Sequence, residues 1–401
     1  MRFLELTNDF PPNPMFGAGI HVADLVKGLA ENGHRALVAT RKADGPVRRT
    51  LHGGLVEVVN AGERHDADSP LSKGDHLHPR WFMADRLAYN HALLGPLDES
   101  ESGFDIVHNH DPIMVPLACE AAEANDAPLL TTVHLADVVM ERSGVSRPRW
   151  IDRHVMRALE LEGYRRSSLI LAPSEATAGL LRDEYPWCAD KVAVVELPCG
   201  DRPSAKTSYE MAGPAQILVV SRLDPNKGLV PLIQALGELP PGTVECTVIG
   251  AGGMRERLRE AAAAAGVTLH FRGALPREEV LGAYREADLL VAPSPLETYG
   301  LVLQEAMGAG LPVVATDIPA FTERIDDGVN GLLVPVASGE AGLGPDVSAV
   351  AAAVRRLIAS ADLRRDLGKA AREREIKSTR AYADEIVTTL RAMDLDAWQS
   401  A

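Results

Sequence analysis

The sequence predicts an α/β protein built of two doubly wound domains. Three observations predict it. Apolar runs of strand length alternate with helix-length segments almost from end to end. Those runs are close to continuously apolar, as strands covered on both faces must be. At 401 residues the chain exceeds what one ordinary core holds. An apolar fraction of 46% is globular, and no window is apolar for a membrane-spanning length.

The first domain opens on "RFLELT" and continues through "RALVAT", "DIVHNH", "PLLTTVH" and "SLILAPS", with helical patterns "GIHVADLVKGLAENGH" and "EATAGLLRDEY" between them. The second repeats the habit with "QILVVSR", "VECTVIG", "VTLHFRG", "DLLVAPS", "LPVVATD" and "GLLVPV". In "LPCGDRPSAKTSYEMAGP" proline, glycine and polar residues displace the periodic pattern, which marks a linker. The expected division is residues 1–197 for the first domain, 198–213 for the linker and 214–379 for the second. The helical tail 380–401 is expected to cross back and pack on the first domain. Ligands of such folds sit at the carboxyl ends of the strands, so the cleft between two facing domains is the expected site. The segment from Asp44 to Ser102 carries no pattern that assigns it.

Composition narrows the function. A formal net charge of −15 excludes a nucleic-acid partner, because nothing but local patches offsets phosphate repulsion. The four cysteines, Cys119, Cys188, Cys199 and Cys246, show no metal-ligand spacing and fit a reducing, cytoplasmic setting. The N-terminus lacks the apolar core and cleavage site of a secretory signal. Seven arginines interleaved with acids between Arg142 and Arg166 read as a solvated helix of mixed charge, in preference to a peripheral membrane dock.

Candidate chemistry follows the strand ends. In "SRLDPNKG", Arg222 and Lys227 stand between a strand and a helix N-terminus, an anion site that needs no metal. Arginine grips phosphate bidentately and lysine adds a point charge. "VIGAGG" is a tight glycine turn after the next strand, and Arg272 and Gly273 hold the equivalent place one strand later. In "PSPLETYGLVLQEAMGAG", Thr298 is the expected N-cap of a helix from about Gly300 to Gly308. Glu297 falls at the turn, and Glu305 about two turns into the helix among apolar neighbours. A buried carboxylate needs donors. Ligand hydroxyls are one source, a sugar for Glu297 and a ribose for Glu305; a helix dipole and a neighbouring arginine are the alternatives. The amides of Tyr299, Gly300 and Leu301 face an anion at the helix start. In the first domain Gly17, Ala18 and Gly19 open a helix after strand one, where backbone can approach a phosphate or sugar. His110, Asp111 and His134 end two further strands.

Taken jointly, "GAGIHVADL", "TTVH", "LILAPSEAT", "SRLDPNKG", "VIGAGG" and "PSPLETYGLVLQEAMGAGLPVVAT" with its Glu-x7-Glu spacing resemble a family 4 glycosyltransferase of the retaining, two-domain GT-B type. The motifs stand in family order over nearly the whole chain, and the N-terminal half is most similar in flavour to bacterial glycogen or maltose-1-phosphate synthases. The resemblance implies an enzyme that moves a sugar from a nucleotide-sugar to a small-molecule or glycan acceptor, with no cofactor and no metal. It places Arg222, Lys227 and Gly19 at the donor diphosphate. Glu297 and the amides after Tyr299 fall at the donor sugar or phosphate, Glu305 at the ribose, and Arg272 and Gly273 at the base. His134 lies near the reacting carbon, with Glu297 and Asp111 as its catalytic companions. Gly17 and Ala18 belong to the acceptor loop. Two departures, Pro112 where tryptophan often follows the acid and Phe16 where a further glycine is common, fall on the acceptor side. A nucleotide-sugar 2-epimerase or sugar phosphorylase on the same scaffold, and a non-catalytic binding subunit, are the rival readings. The acidic triplets at 66–68 and 394–396 imitate a metal motif of another glycosyltransferase fold, but neither follows a strand. Base, sugar, acceptor and oligomeric state are not encoded in any motif.

Overall fold

A computed structural model describes residues 1–11, 17–42, 47–60, 90, 92–95, 97, 103–142, 150–339 and 342–393. Phe16, both acidic triplets and most of the unassigned middle segment lie outside them. The described chain forms two units, one comprising Met1–Glu141, Ser146–Gly200 and Lys377–Ala401, the other Arg142–Val145 and Asp201–Ile376.

The first unit is built on eight strands: β1 (Arg2–Asp9), β2 (Arg35–Lys42), β3 (Arg48–Leu51), β4 (Val56–Asn60), β5 (Ile106–Asn109), β6 (Leu129–Thr132), β7 (Leu169–Ala172) and β8 (Val192–Val194). They lie in the order β3-β4-β2-β1-β5-β6-β7-β8. Every pairing is parallel except β3 with β4. Connections run to one side of β1 through β2 and to the other through β5, so the direction of winding reverses at β1. Its register is fixed on both flanks, with Phe3 opposite Ala36 on one side and Ile106 on the other.

Helices cover this sheet, and a further one comes from the end of the chain. Among the described residues the former are α1 (Gly17–Glu31), α2 (Val115–Asn125), α3 (Asp137–Arg142), α4 (Trp150–Arg166) and α5 (Glu175–Glu184). α5 starts where Ser174 accepts a hydrogen bond from the Thr177 amide, an N-cap that satisfies one orphan donor. Two arginines of α4 meet acids on neighbouring helices. Arg157 meets Glu141 at 2.9 Å and Glu184 at 3.3 Å, and Arg166 meets Glu123 at 3.1 Å.

The second unit has six strands, β9 (Ala215–Val220), β10 (Val244–Ile249), β11 (Thr268–Gly273), β12 (Leu289–Ala292), β13 (Val313–Thr316) and β14 (Leu332–Val334). All are parallel, in the order β11-β10-β9-β12-β13-β14, with the reversal at β9. Alternate side chains of β9 enter opposite cores: Ile217 and Val219 pack with Leu232 and Leu236, Leu218 with Leu290 and Leu303. That is why the strand reads as continuously apolar. Helices α6 (Leu229–Gly237), α7 (Arg255–Ala265), α8 (Arg277–Glu286), α9 (Leu301–Ala309), α10 (Pro319–Thr322), α11 (Val347–Ala359) and α12 (Ala361–Glu373) cover it. A short antiparallel pair, β15 (Val336–Gly339) with β16 (Gly342–Pro345), stands apart from the sheet.

The chain then returns. α13 (Thr379–Ala392), capped by Ser378, packs along α1 in the first unit. The two backbones approach so closely at Gly28 that a β-carbon there would lie 2.1 Å from the Thr379 carbonyl oxygen. Tyr382, Ile386 and Leu390 of α13 are each 0% exposed. Among the described residues no helix is long and apolar enough to cross a membrane, and all four cysteines are free thiols.

Candidate functional site

In the second unit the loops that leave β9 and β12 sit side by side at the reversal of the sheet. After β9 a 3-10 turn, Pro225–Lys227, ends at Gly228 in the left-handed region, with φ 65°. A β-carbon at Gly228 would stand 2.0 Å from the Pro293 carbonyl oxygen at the exit of β12. Only glycine allows both the turn and that approach. The approach delivers Lys227 to Glu297, whose Oε1 accepts from Nζ at 2.6 Å. Arg222 lies 3.0 Å from Asp224 Oδ2. The short Lys227–Glu297 contact, between largely covered side chains, is the stronger of the two, because the Arg222–Asp224 pair is more open to water.

α9 follows directly. Its N-cap is Gly300, with φ 88°, and not Thr298 as the sequence predicts; no side chain caps the helix. The left-handed residue turns the chain into the helix two positions later than expected and leaves the opening amides, from Gly300 into Leu301, without a side-chain acceptor. The dipole and the donors of that terminus favour an anion. Tyr299 contributes only its backbone there, because its ring is buried under the Arg324 guanidinium at 3.6 Å and its hydroxyl accepts from Gln304.

Glu305 is 4% exposed and held by the protein itself. Tyr284 donates its hydroxyl to Oε2 at 2.6 Å, and Arg277 pairs with Oε1. The neighbouring arginine is therefore the donor the sequence reading offered as the alternative to a ribose. Neither Arg277 nor Tyr284 is found by reading motifs, although both project from α8, seven residues apart. The glycine loop has a structural cause too. Gly250 has φ 139°, a β-carbon there would lie 1.9 Å from the Ser221 carbonyl oxygen, and its amide donates to the Gly273 carbonyl at 2.7 Å. The "VIGAGG" turn thus braces the loop that carries Arg222. Gly273 lies on β11 as expected, and Arg272 beside it meets Glu279 at 3.3 Å on the exposed edge.

In the first unit the corresponding reversal lies between β1 and β5. Gly19 is pressed against the end of β1: a β-carbon there would meet the Asp9 carbonyl oxygen at 2.8 Å. Gly17 and Ala18 open α1 as expected, the first exposed and the second half-buried. Asp111 caps a 3-10 turn, Pro112–Met114, by accepting from the Ile113 amide at 2.9 Å. Behind these residues lies a cluster of imidazoles that the sequence shows only in part. His110 Nε2 contacts Glu5 Oε2 at 2.7 Å, and His110 Nδ1 contacts His134 Nε2 at 3.3 Å. His108 stands 3.0 Å from the same Glu5 oxygen and 2.8 Å from the Thr132 hydroxyl. His21 reaches the Tyr382 hydroxyl of α13 at 2.8 Å. Glu5 carries the one signal that could have found it, a carboxylate in the middle of an apolar central strand.

Burial and the neighbouring imidazoles keep three of these rings, His21, His110 and His134, neutral. Burial, then the neighbouring imidazoles His134, His110 and His108, pushes His21 well below the ordinary histidine range. Burial and the two adjacent rings do the same to His110. Burial and His108 lower His134 to about 3. Neutral rings can donate and accept hydrogen bonds or hold a metal, but do not supply positive charge.

Known proteins match the chain over almost all of its length. The Glycosyltransferase Family 4 model matches residues 16–198 and the Glycosyl transferases group 1 model residues 202–374. Glycogen synthase of Mycobacterium tuberculosis is 28% identical over 393 residues, covering 93% of this chain and 90% of the relative. Sucrose-phosphate synthase from Thermosynechococcus elongatus superposes with a TM-score of 0.79 at 19% identity, over 100% of both chains. Anabaena HepE, solved in complex with UDP and glucose, gives 0.70 at 21% identity over 98% of this chain and 100% of its own. With a family 4 domain followed by a group 1 domain on two parallel, doubly wound sheets, the chain belongs to the glycosyltransferases of the GT-B fold.

Proposed function

We propose that this glycosyltransferase moves a hexosyl group from a nucleoside diphosphate sugar to a small-molecule or glycan acceptor, with retention of the anomeric configuration. The observation that carries the reading is the convergence of Lys227, Arg222 and the uncapped start of α9 where the second sheet reverses. Two fixed cations and a helix terminus offer a dianion what a pyrophosphate needs, and they offer it without a metal. Among the solved neighbours, Anabaena HepE carries UDP and glucose, which supports a uridine nucleotide as the first donor to try.

In this reading the bond between the anomeric carbon and the diphosphate oxygen breaks, and charge collects on the leaving group. Arg222, Lys227 and the amides from Tyr299 to Leu301 stabilise that charge. The acceptor hydroxyl attacks the face the diphosphate leaves, and its proton passes to a leaving phosphate oxygen. Glu297 trades its contact with Lys227 for the donor sugar hydroxyls. Glu305, already oriented by Arg277 and Tyr284, takes the ribose, and the backbone near Arg272 and Gly273 meets the base. In the first unit, Gly19 serves the donor phosphates, Gly17 and Ala18 the acceptor, and His134 and Asp111 the reacting end of the sugar. The protein's location is proposed to be the cytoplasm, where nucleotide-sugars are made.

The test is a thermal-shift panel of UDP-, GDP-, ADP- and TDP-sugars on the full chain, followed by product analysis with and without acceptors. A bound donor at a hundredfold excess over its Kd stabilises the fold by about 2.7 kcal/mol. Each cation contributes a charge-assisted contact worth about 1.5–3 kcal/mol. Arg222→Ala and Lys227→Ala should therefore each lower kcat/KM by about ten- to hundredfold. Unchanged turnover in the double variant would overturn the assignment. Strict dependence of turnover on added magnesium or manganese would overturn the metal-free chemistry alone. A donor converted without any acceptor to an isomer, or cleaved only by inorganic phosphate, would replace transfer with epimerisation or phosphorolysis.

A further inference from the structure

We infer that Arg324 is a positioning residue for the donor diphosphate, a third cation that acts on the start of α9 through the ring of Tyr299. The inference rests on the function proposed above, which places the diphosphate at that helix terminus. The sequence motifs do not reach it, because Arg324 stands two residues past α10, outside each of them.

Arg324 is 3% exposed, and among the described residues no carboxylate pairs with it. Its Nη1 donates to the Ala320 carbonyl oxygen one turn back, while Nη2 is buried without a hydrogen-bond partner. The guanidinium carbon lies 3.6 Å from the centroid of the Tyr299 ring. A desolvated cation is drawn to an aromatic face by the ring quadrupole, but that contact does not neutralise it. An uncompensated buried charge is costly to hold in a fold, and an apolar side chain of similar size would pack the ring without that cost. The fold thus keeps a fixed cation whose counter-charge the protein does not provide.

The cation is coupled to the helix terminus by packing. Tyr299 is 3% exposed and immediately precedes Gly300, the left-handed residue from which α9 starts. Its ring is held at the face by Arg324 and at the hydroxyl by Gln304 Nε2, at 2.9 Å. Phe321 of α10 closes on the turn, since a β-carbon at Gly300 would lie 2.5 Å from its Cε1. The Arg324 backbone is tied as well: its amide donates to the Phe321 carbonyl at 2.9 Å, and its carbonyl accepts from Asn330 at 3.1 Å. Guanidinium, ring and turn form one packed block at the start of α9. A helix N-terminus favours an anion, and a fixed cation in surroundings poor in water adds to that preference. A diphosphate docked there supplies the missing counter-charge.

The experiment titrates the full-length protein by calorimetry with UDP and with uridine, and in parallel with GDP, ADP and TDP and their nucleosides. Arg324→Met should weaken the best-bound diphosphate about tenfold and leave its nucleoside unchanged. The urea midpoint of the unliganded variant should be no lower than that of the wild type. Arg324→Lys, which returns the charge, should recover most of the loss. Arg324→Gln, neutral but able to keep the bond to Ala320, takes the place of the methionine variant should that not fold. Tyr299→Leu removes the ring and should give a loss of the same kind, the double variant losing less than the product of the two. Unchanged diphosphate affinity in the neutral variants, or a loss shared equally by the nucleoside, overturns the inference. A double variant that loses the full product shows two independent contacts and overturns it too. Lys227→Ala is titrated beside them. A loss there with none at Arg324 overturns this inference alone, whereas indifference of both puts the diphosphate elsewhere and takes the proposed site down as well.

Discussion

Tyr284 and Glu305 show how one hydroxyl sets the position of a buried charge. The tyrosine is 0% exposed and its hydroxyl is spent on Oε2 of the acid. Tyr284→Phe removes a hydrogen bond to a charged group, which costs about 1.5–3 kcal/mol, and leaves Arg277 to hold the carboxylate alone. Chemical denaturation should register that loss, and the KM for the donor should rise more than kcat falls if Glu305 serves the ribose. The histidine cluster makes a separate prediction. Above about pH 6.5, the ordinary histidine value, both folded and unfolded rings are neutral and the depressed pKa of His134 has no effect on stability. Below it the unfolded chain takes up protons that the folded rings refuse, so stability falls with pH until the folded value, about 3 for His134, is passed. The slope is up to about 1.4 kcal/mol per pH unit for each such ring. His134→Gln should make the acid limb of a stability-versus-pH curve shallower; an unaltered limb would show that the ring does not titrate as described.

At the scale of elements, the contact of α1 with α13 is set by the absence of a side chain. Gly28→Ala would drive a methyl into the Thr379 carbonyl, and overpacking of this kind costs about 1–3 kcal/mol. Gly179→Ala is the counterpart: that position lies inside α5 with nothing within 4 Å of the added carbon. It should stabilise by about 0.5–1 kcal/mol by stiffening the unfolded chain. Urea melts of the two variants should move in opposite directions. The main strands were legible because both faces of each sheet are covered, which makes "QILVVSR" and "DLLVAPS" apolar without interruption. β3, β4, β8 and the β15–β16 pair were not: "RRTL", "VASG" and "GLGP" carry no apolar signal, "VAV" is very short, and "VEVVN" stands in a stretch with no helical pattern beside it. Arg222 and Lys227 were legible because strand, turn and helix occur within a single short motif. The partners of Glu305 were not, because residues 277 and 284 meet 305 only after α8 and α9 pack together. Thr298 has the chemistry of a cap, but the left-handed backbone at Gly300 makes the turn instead.

For the whole molecule, the division into two units carries a prediction of its own. The second unit has its own two-sided core between Asp201 and Ile376, whereas the first requires the segment from Lys377 on. A chain ending at Ile376 would expose the face of α1 that Tyr382, Ile386 and Leu390 cover. Each of those side chains contributes at most about 1.5–3 kcal/mol of burial, so the loss approaches the full stability of an ordinary domain. Calorimetry of the truncated chain should show the second unit's transition alone, still raised by the nucleotide-sugar. A truncated protein with both transitions intact would show that α13 is dispensable.

The late return of α13 also orders events on the ribosome. Translation is vectorial, and a domain ordinarily folds once its last segment has emerged. Here the second unit is whole as soon as Ile376 clears the exit tunnel, while the first, although translated earlier, must wait for Leu390 to close over α1. The nascent chain therefore carries an unfinished N-terminal half through the entire synthesis of its other half, and it is in that interval that chaperones would find α1 uncovered.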